Sequence, residues 1–484
     1  MSQSSTPSPS KDAAFVERMR AIVGAEGIVA DDEELAVYEC DGYTLERARP
    51  ELVVLPAKTA EVAAVVRLCR ERGVSFVPRG AGTGLSGGCL PIAAPVMIGV
   101  SRMNRILDVD VANRTARVQA GVVNRDVSAH VARFGLQYAP DPSSQPACTI
   151  GGNVSENSGG PHTLKYGVTT NHVLAVELVR ADGELVELGG LADDGPGYDL
   201  RGVAIGAEGT FGIVTEATLR LVPIPEAWRT LLAVFDRVDD ASAAVSAIIA
   251  QGIVPAALEM MDGLMVEAVE AAYHFGFPKD AEAVLIIEID GPRAGLDAQT
   301  ERIRAVCAAA HAREVRVAAD ENERALLWKS RKRAFGAVGR LAPNYCTQDG
   351  VVPRTKVPDI LRVIRALGDE NGLRIANVFH AGDGNIHPIL LYDERDRSQV
   401  ERVLAVGRKI LEACVALGGS LTGEHGIGVE KMDLLPLLFG ADDVELMRRV
   451  RRVFDPEVRC NPHKIFVAES AGVAVAQPAR RAAL

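Results

Sequence analysis

Residues 377–391 read NVFHAGDGNIHPILL, with His380 and His387 on either side of an Asp383-Gly384 dipeptide. Asp-Gly between apolar runs is a strong short hairpin signal. A two-residue turn centred there pairs His380 with His387. Directly opposed residues on one face have Cβ atoms about 4.5 to 5.5 Å apart, close enough for both imidazoles to reach one ion. The same two residues suit an ordinary surface hairpin, since a seven-residue histidine spacing is no metal signature by itself. Residues 418–428, GGSLTGEHGIG, add Glu424 and His425 in a glycine-bounded turn. A lone histidine is more often a surface or hydrogen-bonded one. Two histidines plus one carboxylate, however, make the three-ligand set of catalytic metal sites that keep an open coordination position. Residues 328–333, WKSRKR, offer Lys329, Arg331, Lys332 and Arg333. Such a run is usually a solvated helix face, although a guanidinium fork in it matches a carboxylate bidentately.

A second group of residues has no chemistry of its own and much room for a ligand. Residues 79–88 read RGAGTGLSGG, 150–160 read IGGNVSENSGG, and 206–214 read GAEGTFGIV. Gly82, Gly84 and Gly87 satisfy a GxGxxG spacing, and Asp108 lies near the offset of a ribose-binding acid. A dinucleotide fingerprint also needs a helix directly after the loop, and Pro91, Pro95 and Gly99 stand where it would run. What survives is a set of glycine loops whose backbone N–H groups can surround an anion, or else tight connections on small residues.

The elements that must carry these loops can be read from periodicity. Residues 52–55 form a strand, a helix opens at Thr59 with Val62, Val65, Val66 and Cys69 at helical spacing, and residues 74–77 form the next strand. Further strands are expected at 96–100, 106–109, 116–120, 173–179, 184–188 and 218–221, with a helix over 123–134 and an Asp182-Gly183 turn. Pro223 and Pro225 mark a boundary, beyond which helices alternate with strands such as 283–289 in a ferredoxin-like pattern.

Composition bounds the functions open to such a chain. Its 484 residues allow two to four domains at roughly 100 to 200 residues each. With 53 basic against 64 acidic residues and a net charge of -11, it should repel polyphosphate, which speaks against nucleic-acid binding. The 8 cysteines include no CxxC, so iron–sulfur and zinc-ribbon runs are excluded and reduced thiols are expected. No secretory signal or membrane span is readable.

Taken in order, a strand, RGAGTGLSGG, PDPSS, TIGGNVSENSGG and GAEGTFGIVTEATLRL resemble the FAD-binding domain of the vanillyl-alcohol oxidase or PCMH superfamily. With HAGDGNIH, GEHGIG and a closing NPHKIF, the chain is similar to the glycolate oxidase FAD subunit and to D-lactate and other D-2-hydroxyacid dehydrogenases over roughly residues 15–467. The resemblance implies an α+β architecture. A PCMH-type two-subdomain FAD-binding fold would span 15–225, a ferredoxin-like substrate domain 226–427, and a helical segment returning to the flavin 428–467. Residues 1–14 and 468–484 would be a disordered leader and tail.

The same resemblance assigns roles. Arg79, Gly80, Ala81, Gly82, Thr83, Gly84, Leu85, Ser86 and Gly87 would enclose the FAD pyrophosphate together with Thr149, Gly151, Gly152, Asn153, Ser155, Asn157 and Gly159. Pro140, Asp141, Ser143 and Ser144 would lie near the flavin, Glu208, Gly209 and Ile213 on its ligand side, and Asn461 at the returning segment. Residues 79–88 contain no histidine, so noncovalent FAD is expected. His380, His387 and Glu424 would bind one divalent metal (Zn, Mn or Fe), His425 would be the catalytic base, and Arg331 would take the substrate carboxylate. The implied reaction oxidises glycolate or D-lactate to the 2-oxo acid by hydride transfer to flavin N5. Electrons would leave to a quinone or to partner subunits, an iron–sulfur protein and a second flavin-type subunit, rather than to NAD. The location would be cytoplasmic, peripheral to the inner face of the membrane through those partners. Two other functions fit: a stand-alone D-lactate or D-2-hydroxyglutarate dehydrogenase, and a non-catalytic flavin-binding subunit of an oxidase complex.

Overall fold

The computed structural model describes residues 12–192 and 195–467, so most of the expected leader and the whole expected tail lie outside the described residues. The leader ends earlier than expected, because a helix runs over Ala13–Val23. The Asp12 side chain caps it by accepting from the Ala14 amide, and Phe15, Met19 and Val23, one turn apart, are buried.

The chain forms two compact units. The first comprises residues up to 158, 168–223 and 425 onward; the second comprises 159–167 and 224–424. In the first unit, a four-stranded sheet has the strand Val96–Gly99 at its centre, parallel to both Leu52–Val54 and Phe76–Arg79. The helix Thr59–Glu71 connects the strands Leu52–Val54 and Phe76–Arg79 and buries Val62, Val65, Val66 and Cys69. Each such aliphatic side chain contributes about 1.5 to 3 kcal/mol over its exposed state. A second, five-stranded antiparallel sheet orders Ile106–Asp110, Thr115–Gln119, Ile213–Arg220, Val173–Val179 and Leu185–Gly189. Its central strand starts five residues earlier than sequence periodicity indicates, since Ile213 in the third glycine segment is already paired with Val179. The C-terminal segment comes back to this unit after the helix Ala441–Phe454. The Phe76 amide donates to Arg459 O (3.0 Å), and the Asn461 amide donates to Phe76 O (2.8 Å).

One expected loop is a helix. Residues Ile150–Glu156 are helical, capped by Thr149 Oγ1 accepting from the Gly152 amide and closed by Asn157 in the left-handed conformation. Glycines read as ligand room serve packing here as well, because a side chain on Gly151 would strike Ala120.

The second unit is built on one large antiparallel sheet, in the order Glu314–Val317, Ala227–Phe235, Ala283–Gly291, Ala257–Asp262, Ile375–His380, Asn385–Tyr392 and Asn344–Thr347. Strand alternation puts Leu232, Val234, Met261, Val284, Ile286, Ala376, Val378, Ile389 and Leu391 on one face, where they form a core with the helix Gly263–Tyr273. Two residues further along the same strands, that same face changes character. It carries Thr230, Glu288, Glu259, His380 and His387, all buried.

Candidate active site

The polar end of that face begins with a strand pairing. Glu259 stands directly opposite His380 in the antiparallel register, and its Oε1 lies 2.8 Å from His380 Nδ1. The hairpin turn differs from the expected one. His380 is paired with Asn385 and His387 with Val378, so residues 381–384 form a four-residue loop rather than a two-residue turn. Gly384, at φ +83, accommodates the extra length, and Asp383 Oδ1 accepts from the Asn385 amide (3.0 Å). The histidines are therefore diagonal neighbours on one face instead of direct partners, with ring centroids 5.1 Å apart and planes at 90°.

Glu424 completes the group. Its Oε1 lies 3.3 Å from His380 Nε2 and 3.2 Å from His387 Nε2. One ligand atom from each of His380, His387 and Glu424 falls within a 4.8 Å cluster, a donor set of two imidazoles and a carboxylate that suits a divalent ion. The far side of each ring faces an orienting acid, Glu259 for His380 and Asp349 Oδ1, 3.8 Å away, for His387. Carboxylates behind ligand histidines fix ring orientation and raise basicity. Burial opposes a charge on His380, but Glu259 and Glu424 outweigh it and hold the imidazole well above its usual range. A bound cation would take over the role of that proton.

Arg331 separates from its neighbours in the basic run. On the helix Glu321–Lys332, Lys329, Lys332 and the following Arg333 are exposed, whereas Arg331 is 1% exposed. Its Nε donates to Glu259 Oε2 (2.6 Å), so one carboxylate anchors both Arg331 and His380. Nη1 and Nη2 are buried without a partner. Two unmet donors on a buried guanidinium are costly unless something accepts from them.

Further along the sheet, Glu288 accepts from Thr230 Oγ1 (2.5 Å), Trp328 Nε1 (2.6 Å), and Arg324 Nε and Nη2 (both 2.9 Å), with His162 Nε2 3.5 Å away. Burial pushes its carboxyl up, but His162 and Arg324 dominate and hold it down at about 2. Sequence reasoning missed Glu259 and Glu288, for which the available signal was an acid inside an otherwise apolar strand; Asp349 lies between the strands Asn344–Thr347 and Gly350–Val351, within a stretch, 344–350, that the sequence already placed at the pocket without singling out a residue.

In the first unit a cleft is lined by Pro78, Arg79, Gly80, Gly88, Cys89, Val100, Gly151, Gly152, Ser155, Glu156, Glu208, Gly209, Ile213, Val214 and Asn461. Nine of these are among the expected flavin residues: Arg79, Gly80, Gly151, Gly152, Ser155, Glu208, Gly209, Ile213 and Asn461. The guanidinium of Arg79 is committed to the Cys40 carbonyl (3.1 Å) and lies over the Tyr38 ring, so it shapes the wall. Asn461 donates through Nδ2 to Gly88 O (2.9 Å) and Glu208 O (2.7 Å), leaving Oδ1 buried and unpartnered. A glycine-walled cleft with an unmet acceptor fits a flavin nucleotide, whose phosphates need close backbone and whose ribityl and ring groups donate.

The other expected residues stand outside this lining. Residues 81–87 continue the first loop, where the Ser86 hydroxyl donates to His425 O (2.8 Å). Thr149 caps its helix, Asn153 holds Asn124 (2.9 Å) and Ser158 (3.2 Å), and Asn157 accepts from the Thr170 amide (2.9 Å). Pro140 O accepts from Asn124 Nδ2 (3.1 Å) in the turn that also carries Asp141, Ser143 and Ser144. Gly159 belongs to the second unit. Between Glu424 and His425 the chain passes from the second unit to the first.

Comparison with known proteins agrees with both halves of this description. Residues 50–189 match the family model described as FAD binding domain, and residues 224–465 that of FAD linked oxidases, C-terminal domain. Glycolate oxidase subunit GlcD of Escherichia coli (strain K12) is 48% identical over 437 residues, 90% of this chain and 88% of its own. A D-lactate dehydrogenase of Anaerostipes hadrus is 34% identical over 467 residues, 93% of this chain and 97% of its own. The crystal structure of p-cresol methylhydroxylase with substrate bound superposes with a TM-score of 0.78 at 16% identity, over 93% of this chain and 96% of that one. At that identity the likeness concerns the fold, which is of the PCMH type.

Proposed function

The chain belongs to the FAD-linked oxidases, and from that premise we propose that it oxidises a small 2-hydroxy acid, glycolate or D-lactate, to the 2-oxo acid. The observation that carries this reading is the buried fork of Arg331, whose two terminal nitrogens lack an acceptor while its third is tied to the carboxylate that also orients His380. A substrate carboxylate satisfies both donors bidentately, and Lys could not reproduce that geometry.

Arg79, Gly80, Gly151, Gly152, Ser155, Glu208, Gly209, Ile213 and Asn461 would hold FAD noncovalently, with Ala81 to Gly87, Pro140 to Ser144 and the Thr149 helix supporting them. When bound, FAD supplies the two-electron acceptor that side chains lack, taking the α-hydrogen as hydride. His380, His387 and Glu424 are the set that would hold a divalent metal, Zn, Mn or Fe, which supplies Lewis acidity toward the substrate hydroxyl. His425 takes the hydroxyl proton as general base. Glu259 and Asp349 keep the two ligand imidazoles in orientation, and Glu259 keeps Arg331 aimed. Electrons then leave to a quinone or to partner subunits, as the word subunit in the relative's name suggests; among the described residues no helix is long and apolar enough to cross a membrane.

Anaerobic stopped-flow mixing of the FAD-loaded protein with a panel of D- and L-hydroxy acids tests the proposal. Glycolate or D-lactate should bleach the flavin within the turnover time. R331K should raise the KM for the acid by about 50-fold, the worth of a charged bidentate hydrogen bond. A flavin that no hydroxy acid bleaches would instead favour the non-catalytic subunit.

A further inference from the structure

The turn that carries His425 is gripped within the first unit by residues of the flavin loops. Glu208 accepts from the Ile427 amide through Oε1 (2.7 Å) and from the Gly428 amide through Oε2 (2.6 Å). Ser86 donates to His425 O, and its own carbonyl accepts from the Val429 amide (2.9 Å). Glu208 itself sits at φ +50, a left-handed conformation uncommon for a non-glycine residue, and is 6% exposed. Its backbone is fixed by its amide donating to Ser155 O (2.8 Å) and by Asn461 Nδ2 on its carbonyl.

A second carboxylate joins it. Glu156 lines the flavin cleft, and its Oε2 is buried with no hydrogen-bond partner. The point where a Cβ on Gly426 would stand lies 2.9 Å from Glu156 Oε2 and 2.8 Å from Glu208 Oε1. The two buried carboxylate oxygens therefore lie no more than about 5.7 Å apart, where two negative charges repel strongly. We propose that Glu156 and Glu208 hold a single proton between them, on Glu156, and that this pair is a positioning device for His425. The asymmetry has a cause. Glu208 has two amide donors and faces Lys431 and Lys464; Glu156 has burial, Glu208 and Asp41 against its charge and only Lys431 in favour, so its carboxyl is pushed well above the usual range. Arg79 and Cys89 line the same cleft as the pair, His425 lies on the turn that the pair holds and Glu430 beside Lys431; burial pushes Cys89 up to about 12 and holds Lys464 down to about 8.

The inference rests on His425 being the base, and its tests separate the two. In wild type, flavin reduction should slow in alkaline solution as the pair loses its proton and releases Ile427 and Gly428. E156Q, which keeps the shape of the neutral acid and cannot ionise, should lower the neutral rate less than tenfold and abolish the alkaline limb. K464R should leave that limb in place. E156A should slow flavin reduction more than tenfold alone, but add nothing in an H425A background. Infrared difference spectra of the FAD-free protein should show a protonated carboxyl band that E156Q removes. An alkaline limb unchanged in E156Q, or a carboxyl band that survives it, overturns the shared proton. If E156A slows an H425A protein as much as it slows wild type, the positioning role fails. If H425A itself leaves flavin reduction unaltered, the base assignment fails while the infrared result still judges the pair. Should the Glu156 variants not fold, E208Q removes the ionised partner and must lose the same limb.

Discussion

Two buried carboxylates hold the same glycine-bounded turn, and they hold different halves of it. Asp349, in the substrate unit, accepts through Oδ2 from Thr422 Oγ1 (2.6 Å), the Gly423 amide (2.9 Å) and the Glu424 amide (3.2 Å). Glu208, in the flavin unit, accepts from the Ile427 and Gly428 amides. The first grip holds Glu424, the proposed metal ligand, and the second holds the turn after His425, the proposed base. The surroundings differ in kind. Acids at the end of the large sheet are matched by cations: Glu259 by Arg331, and Glu288 by Arg324. The acids beneath the flavin cleft crowd one another, and their charge is suppressed; burial raises Asp41 to about 6, against the Tyr43 amide and Arg79. The substrate unit thus fixes charges that a small anion and a metal ion can use. The flavin unit keeps its own negative charge low where a doubly phosphorylated cofactor must enter.

The harshest way to separate the two halves is H425A. Flavin reduction should fall by about 10³-fold, within the usual range for a general base, with FAD content and metal content unchanged. Metal lost along with activity would mean that the halves are not independent. On the other side, E288Q should weaken the substrate unit by up to about 3 kcal/mol at neutral pH. The folded carboxyl titrates at about 2 against an ordinary 4.5, so this stabilisation is complete above about 4.5 and is lost as pH falls toward 2. Urea unfolding of wild type should therefore lose stability across that window, and E288Q should show a flatter profile there.

What could be read from the sequence follows the same division. Glycine loops and the HAGDGNIH and GEHGIG segments are contiguous, so their residues announce themselves by spacing. Glu259 does not, because it meets His380 across 121 positions and only the strand order of the sheet makes them neighbours. The hairpin register differs from the expected one for a related reason: Asp383-Gly384 marks the turn, but the Asp383 side chain and the Gly384 conformation lengthen it, which shifts His387 opposite Val378. In the basic run, composition could not tell Arg331 from Lys332; burial of one helix face does. Glu156 carries no spacing signal inside NVSENSGG; only the fold brings it to the same turn as Glu208.

A milder and more selective break is D349N. Asparagine keeps the shape and one acceptor but no charge, so the turn amides stay paired while His387 loses its acidic partner. Losing an orienting acid of this kind costs about 10 to 100-fold in metal affinity. Competition with a chelator, read by metal content, should show that weakening, while FAD affinity stays as in wild type. An equal loss of FAD would show that the grip of Asp349 extends to the flavin half.

The smallest expected effect is the most discriminating. Ser86 is 1% exposed and touches the turn through the hydroxyl that donates to His425 O, on the far side of His425 from Glu424 in the chain. S86A removes one neutral hydrogen bond, worth about 1 kcal/mol, and leaves the carbonyl that receives the Val429 amide. The rate of flavin reduction should fall about five-fold at saturating acid, with KM, metal content and FAD affinity unmoved. That pattern belongs to a residue that aims a base. A rise in KM without a change in kcat would move Ser86 to substrate binding, and a loss of metal would erase the division between the two halves of the turn.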